Sequence, residues 1–238
     1  MRASVRKQIL QLNAEFYQRF AQAFSDTRGR IQPGVLRAIQ SVPEDHAILD
    51  LGCGNGNLAQ ALSQRGHRGR YLGLDSSHAL LEAARSQSTH LQAQFIHADL
   101  ANPGWPDPIE GLFPWILAFA VLHHIPDSDL RVRIMKQTHA MLLPRGSLML
   151  SCWNFLASER LRGRIVPWDQ IGLSKESVDP NDYLLDWRRG GYGLRYVHAF
   201  TESSMSALAD QAGFKVVESY TSDGQGGNLG LYQRWQPI

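Results

Sequence analysis

Apolar positions near the start of the chain recur at intervals of three and four. Six side chains carry this spacing: Val5, Ile9, Leu12, Phe16, Phe20 and Phe24. A period near 3.6 residues places them on one stripe, which predicts an amphipathic helix over about residues 4–24. The turn-forming residues 24–30 end this helix, and Pro33 opens a second one that runs to Ile39.

Short apolar runs then alternate with amphipathic stretches. The runs predict five strands, over residues 48–50, 71–75, 93–96, 115–119 and 147–152. The helices predicted between them occupy about 57–64, 77–84 and 126–143. Strands that alternate with helices pair in parallel, so this pattern predicts an α/β fold.

The alternation stops over about residues 153–197, which we interpret as an irregular insertion on the substrate side. This segment contains two groups of arginines and a glycine-rich stretch around 190–193. Long irregular insertions in compact domains are usually functional or disordered. Thr201 then caps a helix that ends near Gly213, and two strands follow, over 215–220 and 229–235. A chain of 238 residues suits one decorated domain, residues 1–238.

The stretch ILDLGCGNGNLA, residues 48–59, reads as a strand, a tight turn and a helix start. Gly52, Gly54 and Gly56 allow sharp backbone bends and close approach of a ligand. Asp50 ends the strand beside this turn, where a carboxylate repels a pyrophosphate but attracts an ammonium group. Asn57 stands where nicotinamide and flavin folds have their third glycine. These features favour S-adenosylmethionine, which carries an ammonium group, over a dinucleotide.

A second acid follows about twenty residues later, as expected for a ribose-binding carboxylate. The run YLGLD, residues 71–75, is apolar and ends in Asp75, which could accept hydrogen bonds from both ribose hydroxyls. The alternative is that Asp50 and Asp75 are ordinary turn residues at strand ends.

These motifs resemble those of the class I S-adenosylmethionine-dependent methyltransferases. The first family motif matches residues 50–56, the second acid matches Asp75, the adenine-side acid falls on Asp99 in FIHADL, and the following segment resembles LAFAVLHHIPD, residues 117–127. The resemblance implies a Rossmann-like fold, with helices on both faces of a mostly parallel seven-stranded sheet whose last strand is antiparallel. The residues it assigns to the cofactor are Tyr17, Asp50, Gly52, Cys53, Gly54, Asn55, Gly56, Asp75, Ser76, Asp99, Leu100, Ala118 and His123.

The N-terminal helix, about 4–24, is then expected to lie across the cofactor site as a lid. Tyr17 on this helix could reach the methionine carboxylate of the cofactor. The alternative for Tyr17 is an ordinary half-buried aromatic residue.

Composition indicates the cellular environment of the protein and says less about its substrate. The formal net charge of +2 permits nucleic-acid binding without arguing for it. Cys53 and Cys152 form neither a disulfide framework nor a ligand cluster, which favours a reduced, cytoplasmic protein. We expect no membrane segment, because the longest apolar run, over residues 113–122, is too short. We expect no metal, because no carboxylate or cysteine stands at ligand spacing around His123 and His124.

Further segments resemble the methyltransferases that esterify a carboxymethyl group on the wobble uridine of tRNA. They are residues 16–34, the HHIPD run, IVPWD at 165–169, LRYVHAF at 194–200 and AGF at 212–214. The resemblance implies catalytic roles for Arg28, His123 and Arg195, and it implies that the acceptor contacts Arg28, His124, Trp168, Arg195 and His198. Which of His123 and His124 is functional stays open, and the alternative is that one contacts the cofactor while the other packs or caps. The resemblance also implies tRNA as the substrate and a small activating protein subunit as a partner.

Elementary chemistry supports an arginine-bound acceptor. A guanidinium fork can hold a carboxylate bidentately with one oxygen aimed at the methyl group, and Arg28 and Arg195 are the candidates. The alternative is that both arginines are structural. Several arginines and tryptophans of the insertion could contact phosphates and stack on an extruded base, or could be scattered over a solvated loop. They are Arg160, Arg162, Arg164, Arg188, Arg189, Trp153, Trp168 and Trp187.

Two other functions stay open at this stage. One is a small-molecule O-methyltransferase that acts on a metabolite carboxylate or hydroxyl. The other is a catalytically silent protein that binds S-adenosylmethionine only to stabilise a complex.

Overall fold

The computed structural model describes residues 1–26, 30–87 and 90–238. Its strands are β1 (Ile48–Leu51), β2 (Tyr71–Asp75), β3 (Ala93–His97), β4 (Phe113–Phe119), β5 (Leu142–Trp153), β6 (Ile165–Val166), β7 (Asp182–Trp187), β8 (Gly193–His198), β9 (Phe214–Ser222) and β10 (Gly230–Pro237). Its α-helices are α1 (Ala3–Asp26), α2 (Pro33–Ile39), α3 (Asn57–Gln64), α4 (His78–Ser86), α5 (Ser128–Ala140), α6 (Glu159–Arg162) and α7 (Glu202–Gln211).

Seven of these strands form one sheet in the order β3-β2-β1-β4-β5-β10-β9. The pairs among β1 to β5 are parallel, whereas β10 runs antiparallel to both β5 and β9. The predicted α/β fold with an antiparallel last strand is therefore confirmed.

Apolar side chains cover both faces of this sheet. One core cluster joins the sheet to α5 and α7 through residues such as Ile134 and Leu208. The other joins it to α2 and α3 through residues such as Ile39 and Leu62. All four residues of β1 are buried, which is typical of a central parallel strand.

Local capping sets several helix starts where the sequence predicts them. The Ser77 side chain accepts a hydrogen bond from the Leu80 N–H at the start of α4. Thr201 and Ser204 form a reciprocal capping box at the start of α7. The end of α5 is a correction, because this helix stops at Ala140 instead of near residue 143. The reason is that β5 begins at Leu142, which already pairs with Phe113 of β4.

The prediction that residues 153–197 are irregular is wrong. Residues of this segment form a second, antiparallel sheet in the order β6-β7-β8. One face of this sheet packs on α1 through a cluster that contains Ile9, Trp168 and Tyr196. The other face packs on a cluster that contains Phe155 and Val197. The insertion is thus a small ordered layer beside the main sheet.

Asn13 of helix α1 bonds to the backbone of Tyr196 in this layer and to that of His124 beside it. The Asn13 amide oxygen accepts from the Tyr196 N–H at 2.8 Å, and the Asn13 amide nitrogen donates to the carbonyl oxygen of His124 at 3.0 Å. The helix is kinked at Phe20, where φ is −109° and ψ is 15°. Within the described ranges, no helix is both long and apolar enough to cross a membrane.

Candidate functional site

A cavity of about 410 Å³ lies at the carboxyl ends of β1, β2 and β4. In doubly wound sheets this is the edge at which ligands bind. The walls come from the turn after β1, the ends of β2 and β4, and one side of α1. Four residues of α1 line it: Leu10, Asn13, Ala14 and Tyr17.

The glycine turn after β1 forms the floor of this cavity. Gly54 has a φ of 57°, in the left-handed region that L side chains rarely adopt, and a Cβ atom there would meet nothing within 4 Å. Gly54 lines the cavity, so a ligand there can approach its backbone closely. Gly52, with a φ of 72°, has no such space, because its Cβ would lie 2.5 Å from Cγ2 of Val121.

Asp75 lies at the end of β2 and lines the same cavity. Its Oδ2 accepts a hydrogen bond from the Gly54 N–H at 2.9 Å, and its Oδ1 accepts from the Ser77 N–H at 2.8 Å. Burial raises the pKa of this carboxyl above its usual value. Because each carboxylate oxygen has two lone pairs, both oxygens retain capacity for a hydroxyl donor.

Asp50 is 2% exposed and borders the cavity from the end of β1. The Tyr71 hydroxyl donates a short hydrogen bond to Asp50 Oδ2. Burial raises the pKa of Asp50 to about 7, and the Tyr71 hydrogen bond opposes part of that rise. A buried carboxylate of this kind becomes more favourable when a cationic group lies beside it.

Most other residues assigned to the cofactor border the same cavity. They are Tyr17, Cys53, Asn55, Ser76, Asp99 and Leu100. Gly56 and Ala118 are not among the residues that line this cavity, and their assignment to the cofactor stays a prediction. Gly56 is the N-cap of α3, where a Cβ would lie 3.0 Å from that of Ala84, so its smallness serves helix packing. Ala118 is fully buried in the core, and the next two residues of the chain, Phe119 and Ala120, border the cavity instead.

These features fit S-adenosylmethionine, which supplies an electrophilic methyl group on a sulfonium when bound. Asp75 would hold the ribose hydroxyls, and Asp50 would face the ammonium group. Asp99, exposed after β3, would face the adenine side. The open space above Gly54 would let the cofactor approach the backbone closely.

His124 joins α1 to the wall of the cavity. The His124 Nε2 atom lies 2.7 Å from the Tyr17 hydroxyl, and Nδ1 lies 3.3 Å from the carbonyl oxygen of Tyr196. A carbonyl only accepts, so Nδ1 carries the proton and Nε2 accepts from Tyr17 in the neutral ring.

His123 lies beside a second cavity, and its predicted cofactor-binding and catalytic roles stay predictions. It is buried, its Nδ1 accepts from the Trp153 N–H at 3.2 Å, and it borders this cavity instead of the first. The neighbouring imidazoles of His123 and His124 are 4.2 Å apart between ring centres.

The second cavity, of about 580 Å³, adjoins the first. Phe119, Ala120 and His124 line both cavities. The second cavity opens toward the β6-β7-β8 sheet and is lined by five arginines: Arg160, Arg164, Arg188, Arg189 and Arg195. Of the residues that the structure describes, two aspartates line it as well, Asp186 and Asp223. An anionic ligand therefore suits this space.

Arg195 is the most buried of these arginines, with 6% of its surface exposed. Its guanidinium lies over three aromatic rings, 4.8 Å from the ring centre of Trp153, 5.4 Å from Trp187 and 5.5 Å from Phe16. Rings of this kind hold a cation in a fixed orientation at a partly desolvated site.

Two residues assigned to the acceptor lie elsewhere. Trp168 is buried between α1 and the second sheet, in the cluster that contains Ile9 and Tyr196, and borders neither cavity. The His198 Nδ1 pairs with Asp182 Oδ1 at 2.7 Å inside the second layer. Both residues stabilise the layer. Arg28 lies outside the described residues.

Three neighbours of the site were not predicted. Tyr71 contacts Asp50, His97 lines the first cavity, and Asp186 lines the second. The signal for Tyr71 was its position in the predicted strand that ends at Asp75, whereas Asp186 lies in a strand that the sequence did not predict. In the described part of the chain, no group of three or more histidine, cysteine, aspartate or glutamate side chains is placed to hold a metal ion.

Comparison with known proteins gives one family match, to a model described as "Methyltransferase domain", over residues 16–219. A human protein named "Probable tRNA methyltransferase 9B" is 27% identical over 198 residues, which cover 83% of this chain and 37% of that protein. The chain spans about a third of the length of such mammalian relatives.

Two further relatives and one solved structure add to this match. A "tRNA (carboxymethyluridine(34)-5-O)-methyltransferase" of Schizosaccharomyces pombe is 24% identical over 86% of this chain and 89% of its own length. A "Trans-aconitate 2-methyltransferase" of Escherichia coli is 35% identical over 52% of this chain and 46% of its own length. The crystal structure of a Methanosarcina mazei protein titled as a SAM-dependent methyltransferase has a TM-score of 0.65 and 21% identity, over 87% of this chain and 98% of that chain. This last likeness shows the fold.

Proposed function

Because the chain belongs to the methyltransferase domain family, we propose that it transfers the methyl group of S-adenosylmethionine to a carboxylate oxygen in tRNA. The acceptor is the carboxylate of a 5-carboxymethyl-type wobble uridine, and the product is its methyl ester. The family match confirms the predicted enzyme class, and the fold and the cavity at the end of β1 agree with the predicted cofactor.

The observation that carries this proposal is Arg195 in its aromatic surroundings. It lines a cavity that has lining residues in common with the cofactor cavity. A methyl donor and its acceptor would meet beside those common residues. A buried guanidinium binds a carboxylate through two charge-assisted hydrogen bonds. Trp153 and Trp187 offer ring faces beside it, on which a base could stack.

The relatives support the same acceptor chemistry. The fission yeast relative is named for carboxymethyluridine, and the bacterial relative is named for trans-aconitate. Both of these acceptors carry carboxylates. A cavity lined by five arginines suits either of them.

A carboxylate acceptor sets simple demands on the protein. Its pKa of about 4 leaves it ionised at neutral pH, so no general base is required. The protein has to orient one oxygen for an in-line displacement and keep water out. Arg195 and the rings of Trp153 and Trp187 would orient the acceptor, and Tyr17 and His124 would close the site from the side of α1.

The proposal is tested by methyl transfer from labelled S-adenosylmethionine to total tRNA, followed by nucleoside mass spectrometry. A label in an alkali-labile uridine ester is the expected result. A label in a base-stable methyl group would overturn the ester assignment. The assay is run with and without a cell extract fraction of small proteins, because the resemblance also predicts an activating subunit.

A small-molecule O-methyltransferase is the second candidate function. The identity of 35% to the trans-aconitate enzyme favours it, although that match covers only 52% of the chain. A polycarboxylate would also suit the arginines of the second cavity. A metabolite extract treated in parallel with the tRNA decides between them, since label confined to the metabolite fraction would replace the tRNA proposal.

A further inference from the structure

The arginines of the second cavity differ in depth. Arg195 is buried and Arg164 is half-buried, whereas Arg160, Arg188 and Arg189 are exposed. All five line the same space, so it carries a cation at its inner end and several cations at its mouth. A ligand that contacts both ends must extend from the buried part of the cavity to its surface.

Asp186 fixes two of the outer cations. Its side chain is almost fully buried, and its two oxygens pair with different arginines. Oδ1 lies 3.3 Å from Nη1 of Arg164, and Oδ2 accepts from Nε of Arg188 at 2.7 Å. A buried carboxylate between two guanidinium groups orients both of them in one rigid arrangement.

The remaining outer cations are not neutralised. Among the described residues, neither Arg160 nor Arg189 forms an ion pair. Their charges, together with those held by Asp186, leave the mouth of the cavity positive. Uncompensated arginines around a concave surface attract phosphate groups.

We propose that Arg160, Arg164, Arg188 and Arg189 form a phosphodiester subsite at the mouth of the acceptor cavity. This inference rests on the proposed function: Arg195 holds the reacting carboxylate inside, while the outer arginines bind the RNA backbone on either side of the extruded nucleotide. A small polycarboxylate that fits the cavity ends inside it and leaves the exposed arginines without a ligand. A polymer continues outward, which is why these exposed cations favour RNA.

The test uses the double variant Arg160→Ala/Arg189→Ala, since both side chains are exposed and their loss leaves the Asp186 pairs intact. The control is Arg145→Ala, an exposed arginine of β5 that lines neither cavity. Fluorescence anisotropy measures binding of an unmodified anticodon stem-loop RNA over a series of salt concentrations. Each lost contact to a phosphate of the single-stranded loop should reduce the magnitude of the negative slope of log affinity against log salt by about 0.7.

A second measurement compares two acceptors. These are the free nucleoside 5-carboxymethyluridine, which has no phosphate, and a stem-loop RNA that contains it. For the double variant we expect kcat/KM on the RNA to fall at least tenfold more than kcat/KM on the nucleoside. The control variant should match the wild type in both assays.

The subsite is overturned if the double variant keeps the wild-type salt slope, or if both acceptors lose activity equally. Failure of the proposed function is a separate result. If neither acceptor is methylated, the ester proposal fails, while the salt slope of stem-loop binding still decides whether the arginines contact phosphates.

Discussion

Asp50 is predicted to reduce the stability of the free protein while it provides affinity for the cofactor. The perturbation is Asp50→Asn, which has nearly the same shape and keeps an oxygen that accepts the hydrogen bond from Tyr71. The substitution removes only the charge. It thereby isolates the cost of ionising a side chain that is 2% exposed.

The magnitude follows from the pKa of Asp50 in the two states. Burial raises it to about 7 in the folded protein, against about 4 in the unfolded chain. The folded state therefore binds the proton more tightly, and the stability this provides is lost as the pH rises through about 7. Linkage gives a loss of about 2 kcal/mol between about pH 5.5 and about pH 8 from this one group.

Denaturant unfolding of the cofactor-free protein at these two pH values measures the effect. Because asparagine does not titrate, the stability of Asp50→Asn relative to the wild type should increase by about 2 kcal/mol at the higher pH. Asp45→Asn, at an exposed position, controls for the removal of one negative charge. Calorimetry should show that Asp50→Asn binds S-adenosylmethionine at least tenfold more weakly, through the lost charge-assisted contact.

Two results would refute this reasoning. If the stability difference between wild type and Asp50→Asn were the same at both pH values, Asp50 would not hold a proton in the folded protein near neutrality. If the variant bound the cofactor as tightly as the wild type, Asp50 would not face the ammonium group.

Three further substitutions separate the cofactor, the acceptor and the scaffold. Asp75→Ala should weaken S-adenosylmethionine binding by about ten- to a hundredfold, and unchanged affinity by calorimetry would remove the ribose assignment. Arg195→Ala should leave cofactor affinity intact and lower methyl transfer by about a hundredfold, whereas equal loss of both would make Arg195 structural. Trp168→Ala should lower the free energy of unfolding by about 3–5 kcal/mol, because it empties a buried site between α1 and the second sheet. A stable Trp168→Ala variant with weakened tRNA binding would restore Trp168 to the acceptor site.

The cofactor half could be predicted from the sequence because its signals are local. Asp75 ends β2 and Asp50 lies one residue before the end of β1, and neighbouring parallel strands bring their carboxyl ends to one edge. Gly54 needs its left-handed φ within the turn itself. The exceptions also have local causes. Strand β4 reaches the cavity at Phe119, one residue after Ala118. Because side chains alternate between the faces of a strand, the side chain of Ala118 packs in the core.

The second sheet could not be predicted in the same way. Its strand β7, with the sequence DYLLDW, is covered on both faces, so its apolar residues do not alternate with polar ones. Leu184 packs toward α1 and Leu185 packs toward Phe155, two different clusters on opposite sides. The partners that bury this strand are far away in sequence. The apolar and polar residues of β7 therefore lack the alternation that is typical of a half-buried strand, and the sequence does not predict a strand there.

The alternation of side chains along strand β8 bears on which of its residues can contact the acceptor. Side chains along a strand alternate between faces, so Arg195 and Val197 share one face while Tyr196 and His198 share the other. Arg195 lines the second cavity, and Tyr196 and His198 both bond to Asp182 on the opposite side. Arg195 and His198 therefore cannot both contact one acceptor from this strand. The resemblance assigned both residues to the acceptor, and the pleat of the strand selects Arg195 between them.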